Sequence, residues 1–314
     1  MGSEYTVKIV GTNLADAQRE ALKKEIDDQL KEVNRQMSHY IPDSELSRFN
    51  RAPAAQPFPI SPEFARVLRF ALDLNRRSDG AFDPTLGPVI NLWGFGEKTT
   101  QRQTPSADQL RDALQQTGCR HLTLAAGNEL TKDIPGLTVN LSAIAKGFGV
   151  DEMAGVLRRR GFGNFYVSIS GEVFAAGHNA RGTNWQVGIS APVSNWRPGD
   201  LLVTVLSLSG RAVSTSGDYQ KFFLDAQGRR LCHIFDPRTG QPVQHHLGSV
   251  TVVADTCATA DALSTTLFVL GAEAGLKFIE AQTNAAALFV VREADGQFRS
   301  VPSTRFPSLT GFRP

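Results

Sequence analysis

Residues 144–169 read IAKGFGVDEMAGVLRRRGFGNFYVSI and contain both kinds of element that decide the fold. Apolar residues recur at helical spacing over 144–160, and an aromatic and β-branched run follows at 165–169. The same two patterns recur along the chain, predicting strands at 185–189, 201–206, 249–254 and 286–291, and helices at 259–270 and 272–282.

The N-terminal third adds a strand and three helices. Residues 5–10 predict the strand, and apolar residues between Leu22 and Met37 predict a long amphipathic helix. Ser61 is the expected N-cap of a second helix, and a shorter one is predicted within residues 106–118. Long helices kept apart from runs of strands favour an α+β fold with mixed or antiparallel sheets and packed helices, rather than regular βαβ alternation.

Composition excludes several classes of protein. The 314 residues carry 33 basic and 31 acidic side chains, a formal charge of +2, which predicts no nucleic-acid surface. Cys119, Cys232 and Cys257 are widely spaced, so a zinc site or a disulfide framework is not expected. No apolar run approaches roughly 20 residues, which predicts no transmembrane segment. The first strand begins without a basic and apolar signal pattern before it, which predicts either a cytoplasmic protein or a mature chain whose signal has been removed.

Residues 137–151 carry the first candidate site. A strand is predicted at 137–141, turning into the helix at 144–160, and a helix N-terminus attracts anions. Lys146 in the first turns is therefore a candidate phosphate contact. On the sequence alone, a lone lysine on a helix is more often solvated.

Asp261 and Thr265 form the second candidate site. They stand four residues apart, so a helix places them on one face. A carboxylate and a hydroxyl are the hard oxygen donors that Mg²⁺ prefers. The alternative for Asp261 is a carboxylate that only complements the helix dipole.

Two further segments are rich in turn residues. The loop around Asp83 combines Gly, Asp and Pro with the aromatic Phe82, and such clusters most often only punctuate structure. His233 follows an apolar strand, where a histidine is more often structural than catalytic unless a reactive group lies beside it.

Taken together and in order, seven motifs resemble the FAD:protein FMN transferase family, also called the ApbE family, from Met1 to about Gly271. They are YIPDSELSRFN (40–50), DGAFDPTLG (79–87), NLWGFG (91–96), SAIAKGFGVD (142–151), STSGDY (214–219), DPRTG (236–240) and ADALSTTLFVL (260–270). The resemblance implies an ApbE-like, T-fold-like architecture: one domain over residues 1–314, either undivided or built of two subdomains with the FAD site between them.

The resemblance also assigns roles to individual residues. It implies that Mg²⁺ is held by the Ala143 carbonyl and by the side chains of Asp261 and Thr265, and that His233 and Asp261 act in catalysis. Asn140 stands where the family commonly has Asp, so this edge of the site lacks a charge. The residues implied to contact FAD are Met1, Tyr40, Ala81, Phe82, Asp83, Asn140, Lys146 and Phe235.

The implied activity is Mg²⁺-dependent transfer of FMN from FAD to a Ser or Thr hydroxyl of an acceptor flavoprotein, with release of AMP. The expected acceptor is a subunit of a membrane redox complex. The expected location is periplasmic or extracytoplasmic, with a membrane anchor before trimming. The alternatives are an FAD pyrophosphatase that yields FMN and AMP, and a flavin-binding protein without turnover. A serine hydrolase fits poorly, because the chain has no G-x-S-x-G elbow.

Overall fold

The computed structural model describes residues 4–96, 102–193 and 201–313. Within these ranges the helices are α1 (Asp16–Met37), α2 (Glu45–Arg51), α3 (Pro62–Arg77), α4 (Gly87–Leu92), α5 (Ala107–Leu114), α6 (Ala145–Arg159), α7 (Cys257–Glu280) and α8 (Phe306–Thr310). The strands are β1 (Tyr5–Ile9), β2 (Phe58–Pro59), β3 (Leu122–Leu124), β4 (Glu129–Lys132), β5 (Phe165–Ile169), β6 (Glu172–Ala176), β7 (Trp185–Ser190), β8 (Leu202–Leu208), β9 (Arg211–Gly217), β10 (Phe222–Leu224), β11 (Arg230–Cys232), β12 (Phe235–Asp236), β13 (Gln241–Pro242), β14 (Leu247–Ala254), β15 (Ala285–Arg292) and β16 (Phe298–Pro302).

The chain forms two compact units. The first unit contains Met1–Glu32, Ile144–Gln220 and His245–Pro314, and the second contains Val33–Ala143 and Lys221–Gln244. Each unit is therefore assembled from separate stretches of chain.

An antiparallel seven-stranded sheet organises the first unit. Its strand order is β1-β5-β6-β9-β14-β15-β16, and every residue of β14 is buried. On one face α7 packs on β9 and β14, and α6 packs on β5, β6 and α7. The other face is covered by the β7–β8 hairpin and α8, whose Trp185, Leu206 and Phe306 join the apolar core. Because both faces are covered, β14 is buried along its whole length, including the polar Ser249 and Thr251.

The second unit combines short helices with three small sheets. Strands β2, β4 and β3 form an antiparallel sheet, and β10–β11 and β12–β13 are two hairpins. Trp93 and Phe235 pack 6.0 Å apart between ring centroids, and the Trp93 indole donates to the Gly240 carbonyl at 2.9 Å. This aromatic cluster, with the apolar residues of α4 and α5, is a core of the second unit.

Most of the predicted elements are confirmed. Ser61 caps α3 by accepting from the Phe64 amide, and Ser106 and Gln109 form a capping box at α5. The predicted helix break falls at Gly271, whose φ of 79° interrupts α7. Fold class is confirmed as mixed helix and antiparallel sheet.

One of these predictions is wrong. Residues 137–141 are not a strand, because side chains rather than a neighbouring strand take up their backbone groups. Helix α2, which Ser44 caps, was not predicted.

Helix α7 is long and apolar enough to pass a length-and-composition test for a membrane span, with a mean hydropathy of 1.4. This is weak evidence for a span, because the core helix of a protein passes the same test. Of the apolar 18-residue stretch of α7, 56% is buried inside the protein. The contacts of α7 with β9 and β14 explain its apolar character as packing.

Candidate active site

Three charged side chains meet in the first unit. Lys146 lies in the first turn of α6, Glu172 begins β6, and Asp261 lies in the second turn of α7. The Lys146 ammonium forms an ion pair with Glu172 Oε1 and lies 3.8 Å from Asp261 Oδ1. Both carboxylates are buried, whereas the Lys146 side chain is 36% exposed. Lys146 is therefore a paired, half-buried cation rather than the solvated lysine that the sequence alone favours.

Burial controls the ionisation of this cluster. It raises the pKa of Glu172, and the nearby Asp261 charge raises it further, while Lys146 opposes both effects. Burial also raises the pKa of Asp261, against the lowering effects of Lys146 and of the Gly147 amide. Burial lowers the pKa of Lys146, but the two carboxylates outweigh it and raise the pKa overall. The lysine is thus held as a cation between two acids that are costly to ionise.

Backbone contacts between α6 and α7 place these side chains. Asp261 Oδ2 accepts from the Gly147 amide at 2.9 Å, at the N-terminal end of α6. In turn, Asp151 accepts from the amides of Cys257 and Ala258 at 2.7 and 2.9 Å, where α7 begins. Each helix therefore supplies a carboxylate to the free amides of the other. Asp261 therefore complements the N-terminal end of α6, whereas Asp151 accepts from the first amides of α7, the helix that carries Asp261.

A row of hydroxyls continues from Asp261 along α7. Ser216 Oγ at the end of β9 lies 2.8 Å from Ser264 Oγ and 3.1 Å from Thr265 Oγ1. Thr215, the preceding residue of β9, points to the other face of the sheet and pairs there with Thr251 Oγ1 at 2.9 Å. The predicted Asp261 and Thr265 thus lie next to the hydroxyls of the motif at 214–219.

In the second unit, the flavin contacts expected at residues 81–83 are mostly buried. Ala81 and Phe82 lie inside the unit. Asp83 Oδ1 accepts from the Thr85 amide at 2.7 Å, from the Thr85 hydroxyl at 2.6 Å and from the Cys119 thiol at 3.4 Å. Burial raises the pKa of Asp83, although these donors oppose the shift.

Tyr40 and Asn140 have different surroundings. Tyr40 is 66% exposed, so its ring is available for stacking. The backbone amide of Asn140 donates to the Pro84 carbonyl at 2.7 Å, and the side-chain oxygen of Asn140 accepts from the Ser142 amide at 2.9 Å. The asparagine side chain makes its contact without a charge.

His233 and Phe235 lie close together on a short stretch of the second unit. His233 Nδ1 lies 3.2 Å from the Lys221 carbonyl. A carbonyl oxygen only accepts, so this contact places a hydrogen on Nδ1. Phe235 is buried against Trp93 and Phe95, which makes it part of the core as well as a predicted flavin contact.

The sequence profile of the ApbE family matches residues 1–289 of the chain. The chain belongs to the ApbE family.

Relatives extend the match across the chain. A protein named FAD:protein FMN transferase from Haemophilus influenzae is 41% identical over 315 aligned residues, covering 99% of this chain and 89% of the relative. The solved structure of the flavin transferase ApbE from Vibrio cholerae is 39% identical, with a TM-score of 0.88 and coverage of 98% and 96% of the two chains. The apo flavinyl transferase ApbE of Pseudomonas stutzeri is 38% identical, with a TM-score of 0.88 and coverage of 100% and 95%. The predicted family and ApbE-like fold are confirmed.

The donors in the first unit fit the magnesium ion expected for this ApbE-family chain. Among the described residues, no group of three or more His, Cys, Asp or Glu gathers as a metal cage. Asp261 and the Thr265 hydroxyl lie one helical turn apart, and both offer hard oxygens. Mg²⁺ is commonly held by one or two carboxylates with substrate phosphates and water. One carboxylate and one hydroxyl therefore suit Mg²⁺ better than a transition metal.

The predicted site residues fall in both compact units. Lys146, Asp261 and Thr265 share the first unit, whereas Ala143 and the predicted residues from Tyr40 to Asn140, with His233 and Phe235, belong to the second. Met1 lies outside the described residues. The roles of these residues as ligands or catalysts stay predictions.

Sequence reasoning missed Glu172, Gly147 and Asp151 as members of this cluster. Glu172 follows a Ser-Gly turn and begins a strand that was not predicted, so no periodicity marked it. Asp151 appeared only as the last letter of a motif. The available signal was the spacing of Gly147 and Asp151, which lie about one turn apart on α6.

Proposed function

We propose that this chain catalyses Mg²⁺-dependent transfer of FMN from FAD to a Ser or Thr hydroxyl of an acceptor protein. The observation that carries the proposal is the set of relatives named FAD:protein FMN transferase, of which the one from Haemophilus influenzae is 41% identical across nearly the whole chain. This confirms the predicted enzyme class, a flavinyl transferase that uses FAD as substrate. Among the described residues, the cluster of Lys146, Glu172 and Asp261 is the group of side chains that best suits such a reaction.

The reaction exchanges one phosphorus–oxygen bond for another. The acceptor hydroxyl oxygen bonds to the FMN phosphorus, and the bond from that phosphorus to the bridging oxygen breaks, so that AMP leaves. The hydroxyl proton passes to a base, for which His233 is the proposed acceptor. Positioning and charge stabilisation dominate such transfers.

Lys146 and the hydroxyl row supply positive charge and donors. The Lys146 ammonium stays a cation, which suits a contact with a pyrophosphate oxygen. Ser216 and Thr265 hydroxyls, 3.1 Å apart, can each donate to a phosphate oxygen. Tyr40, with its exposed ring, is proposed to stack on the flavin.

Mg²⁺ when bound supplies neutralisation of the charge that builds on the departing phosphate. The proposed ligands are Asp261, Thr265 and the Ala143 carbonyl. The raised pKa of Asp261 reflects burial, which a bound cation would offset.

We further propose that the acceptor is a flavoprotein subunit of a membrane redox complex and that this chain acts outside the cytoplasm, in the periplasm or an equivalent compartment. These statements rest on the family resemblance. The paired charges and the formal net charge of +2 offer no competing preference for nucleic acid.

Mass spectrometry of an acceptor bearing a Ser/Thr flavinylation motif tests the activity. After incubation with this chain, FAD and Mg²⁺, we expect the acceptor to gain one FMN, with one AMP released per adduct. Asp261→Asn should lower the rate by about 100-fold or more, because a carboxylate ligand is lost. Exposed Asp112→Asn is the matched control and should transfer at the normal rate.

The alternatives give different products. AMP and FMN without an adduct, with every plausible acceptor, would indicate an FAD pyrophosphatase. FAD retained intact in the presence of Mg²⁺ would indicate a flavin-binding protein and would implicate Asn140. Asp261→Asn with full Mg²⁺-dependent transfer would overturn the metal assignment.

A further inference from the structure

Residues 137–141 have the burial pattern of a strand without a strand beside them. Leu137, Val139 and Leu141 are buried, and the residues between them are half-buried. A buried extended segment must satisfy its backbone groups elsewhere. In this segment, two side chains from other elements of the second unit provide the hydrogen bonds. The segment comes just before Ala143 in the chain and includes Asn140.

Asn50 takes the place of a strand partner. Its side-chain Nδ2 donates to the Val139 carbonyl at 2.9 Å, and its Oδ1 accepts from the Val139 amide at 2.7 Å. This two-way pairing copies the exchange between two residues of an antiparallel ladder. Only an amide side chain can both donate and accept in this way.

Lys132 holds the same segment from a second direction. It is 1% exposed, and its ammonium donates to the Asn50 carbonyl at 2.8 Å and to the Leu137 carbonyl at 3.1 Å. The ammonium also lies 5.4 Å from the centre of the Phe49 ring. Burial of an ammonium costs free energy unless the group is hydrogen-bonded, so Lys132 keeps both bonds. These two bonds hold the carbonyls of Asn50 and Leu137 close to each other.

The far end of the segment is also fixed. The Asn140 amide donates to the Pro84 carbonyl at 2.7 Å, and the Asn140 side chain accepts from the Ser142 amide at 2.9 Å. The chain is thus restrained at Leu137, Val139 and Asn140, immediately before the Ala143 carbonyl.

We propose that Asn50 and Lys132 are positioning residues for the reaction: they fix residues 137–141 so that Asn140 and the Ala143 carbonyl are presented to FAD and its metal. This inference rests on the proposed function. It assigns the last residue of the YIPDSELSRFN motif a task distinct from flavin contact.

Asn50→Asp is the main test variant. The carboxylate keeps the shape and can accept from the Val139 amide, but it cannot donate to the Val139 carbonyl and places an oxygen against it. Lys132→Met removes the ammonium and keeps the apolar stem. Arg51→Ala, an exposed neighbour on α2, is the control. Should Lys132→Met fail to fold, Asn50→Asp alone decides.

Three readouts separate positioning from support of the fold. Hydrogen exchange of residues 137–143 is measured without ligand, FAD affinity is measured by fluorescence with and without Mg²⁺, and the KM for FAD and kcat are measured for transfer. Asn50→Asp should exchange about tenfold faster in this segment, bind FAD roughly tenfold more weakly and raise the KM, with unchanged circular dichroism. Arg51→Ala should match the parent chain in all three.

The inference is overturned if Asn50→Asp keeps normal exchange in residues 137–143. It is also overturned if exchange rises while FAD affinity and KM stay within twofold of the parent chain, since the contacts then serve only the fold. Failure of the proposed function has a different signature: the parent chain binds FAD but forms no adduct, and the exchange and FAD affinity of the variant still decide the positioning role.

Discussion

Single residues in this protein gain their chemistry from burial. Lys146 and Asp261 are unremarkable letters in the sequence, yet the fold places their charged atoms 3.8 Å apart and adds Glu172 to the pair. The identity of these residues followed from motif and spacing, but their ionisation follows from the absence of water around the carboxylates. Asp151 is the clearest titratable example outside the proposed ligands.

Asp151 should make stability depend on pH. Burial raises the pKa of Asp151 from 3.8 to about 6, against the lowering effect of the Ala258 and Cys257 amides. The folded pKa exceeds the unfolded one, so its contribution is fully present below pH 3.8 and is lost as pH rises through about 6. The quantity to follow is the free energy of unfolding of the parent chain minus that of Asp151→Asn. This difference should fall by about 1–3 kcal/mol as the pH rises from 3.8 through about 6.

Urea unfolding of both chains between pH 3.5 and 7.5 measures this difference, with the exposed Asp112→Asn as control. The control difference should stay flat. A flat difference for Asp151→Asn would show that the two amide contacts offset the effect of burial on the pKa. A difference that grows with pH would show that they outweigh it.

At the scale of elements, the crossing of α6 and α7 depends on one glycine. A Cβ on Gly147 would lie 2.3 Å from the Cys257 carbonyl oxygen and 2.8 Å from the Ala258 nitrogen, both backbone atoms. Backbone at the start of a helix cannot move aside as a flexible side chain can. The close approach also brings the Gly147 amide to Asp261.

Gly147→Ala should therefore lower the free energy of unfolding by more than about 3 kcal/mol, through a backbone clash rather than a change of helix propensity. Gly155→Ala on the same helix is the matched control, since its Cβ would meet only the end of the Arg159 side chain, at 3.2 Å. We expect the control to stabilise the chain by up to about 1 kcal/mol. Equal stabilities in chemical unfolding would contradict the close-packing argument.

Element positions were largely predictable where local signals were strong. The caps at Ser61 and Ser106 and the break at Gly271 are local, and each was confirmed. The strand predicted at 137–141 failed because the carbonyls of Val139 and Leu137 accept hydrogen bonds from the side chains of Asn50 and Lys132, which are 89 and 5 residues away in the chain. Periodicity reports burial but not the identity of the hydrogen-bond partner.

At the scale of the whole molecule, the proposed extracytoplasmic location needs a direct test. Among the described residues, α7 is the helix that passes the composition test for a membrane span, and it packs on β9 and β14 in the first unit. In the described fold, the apolar side chains of α7 therefore pack in the core of the first unit rather than against a bilayer.

Protease treatment of spheroplasts from the native host tests this location. We expect the native protein to be released with the periplasm or digested by added protease, while a cytoplasmic marker survives. Protection alongside the cytoplasmic marker, with digestion of both only after lysis, would contradict the proposal.

The sequence by itself determined the family and the α+β class, because ordered motifs, caps and periodicities are written in local spacing. Tertiary structure alone decided that Glu172 joins Lys146 and Asp261, that Asp151 caps α7, and that Asn50 and Lys132 hold residues 137–141. These contacts join residues far apart in the chain, and burial sets their charge and their hydrogen bonds, neither of which local spacing encodes.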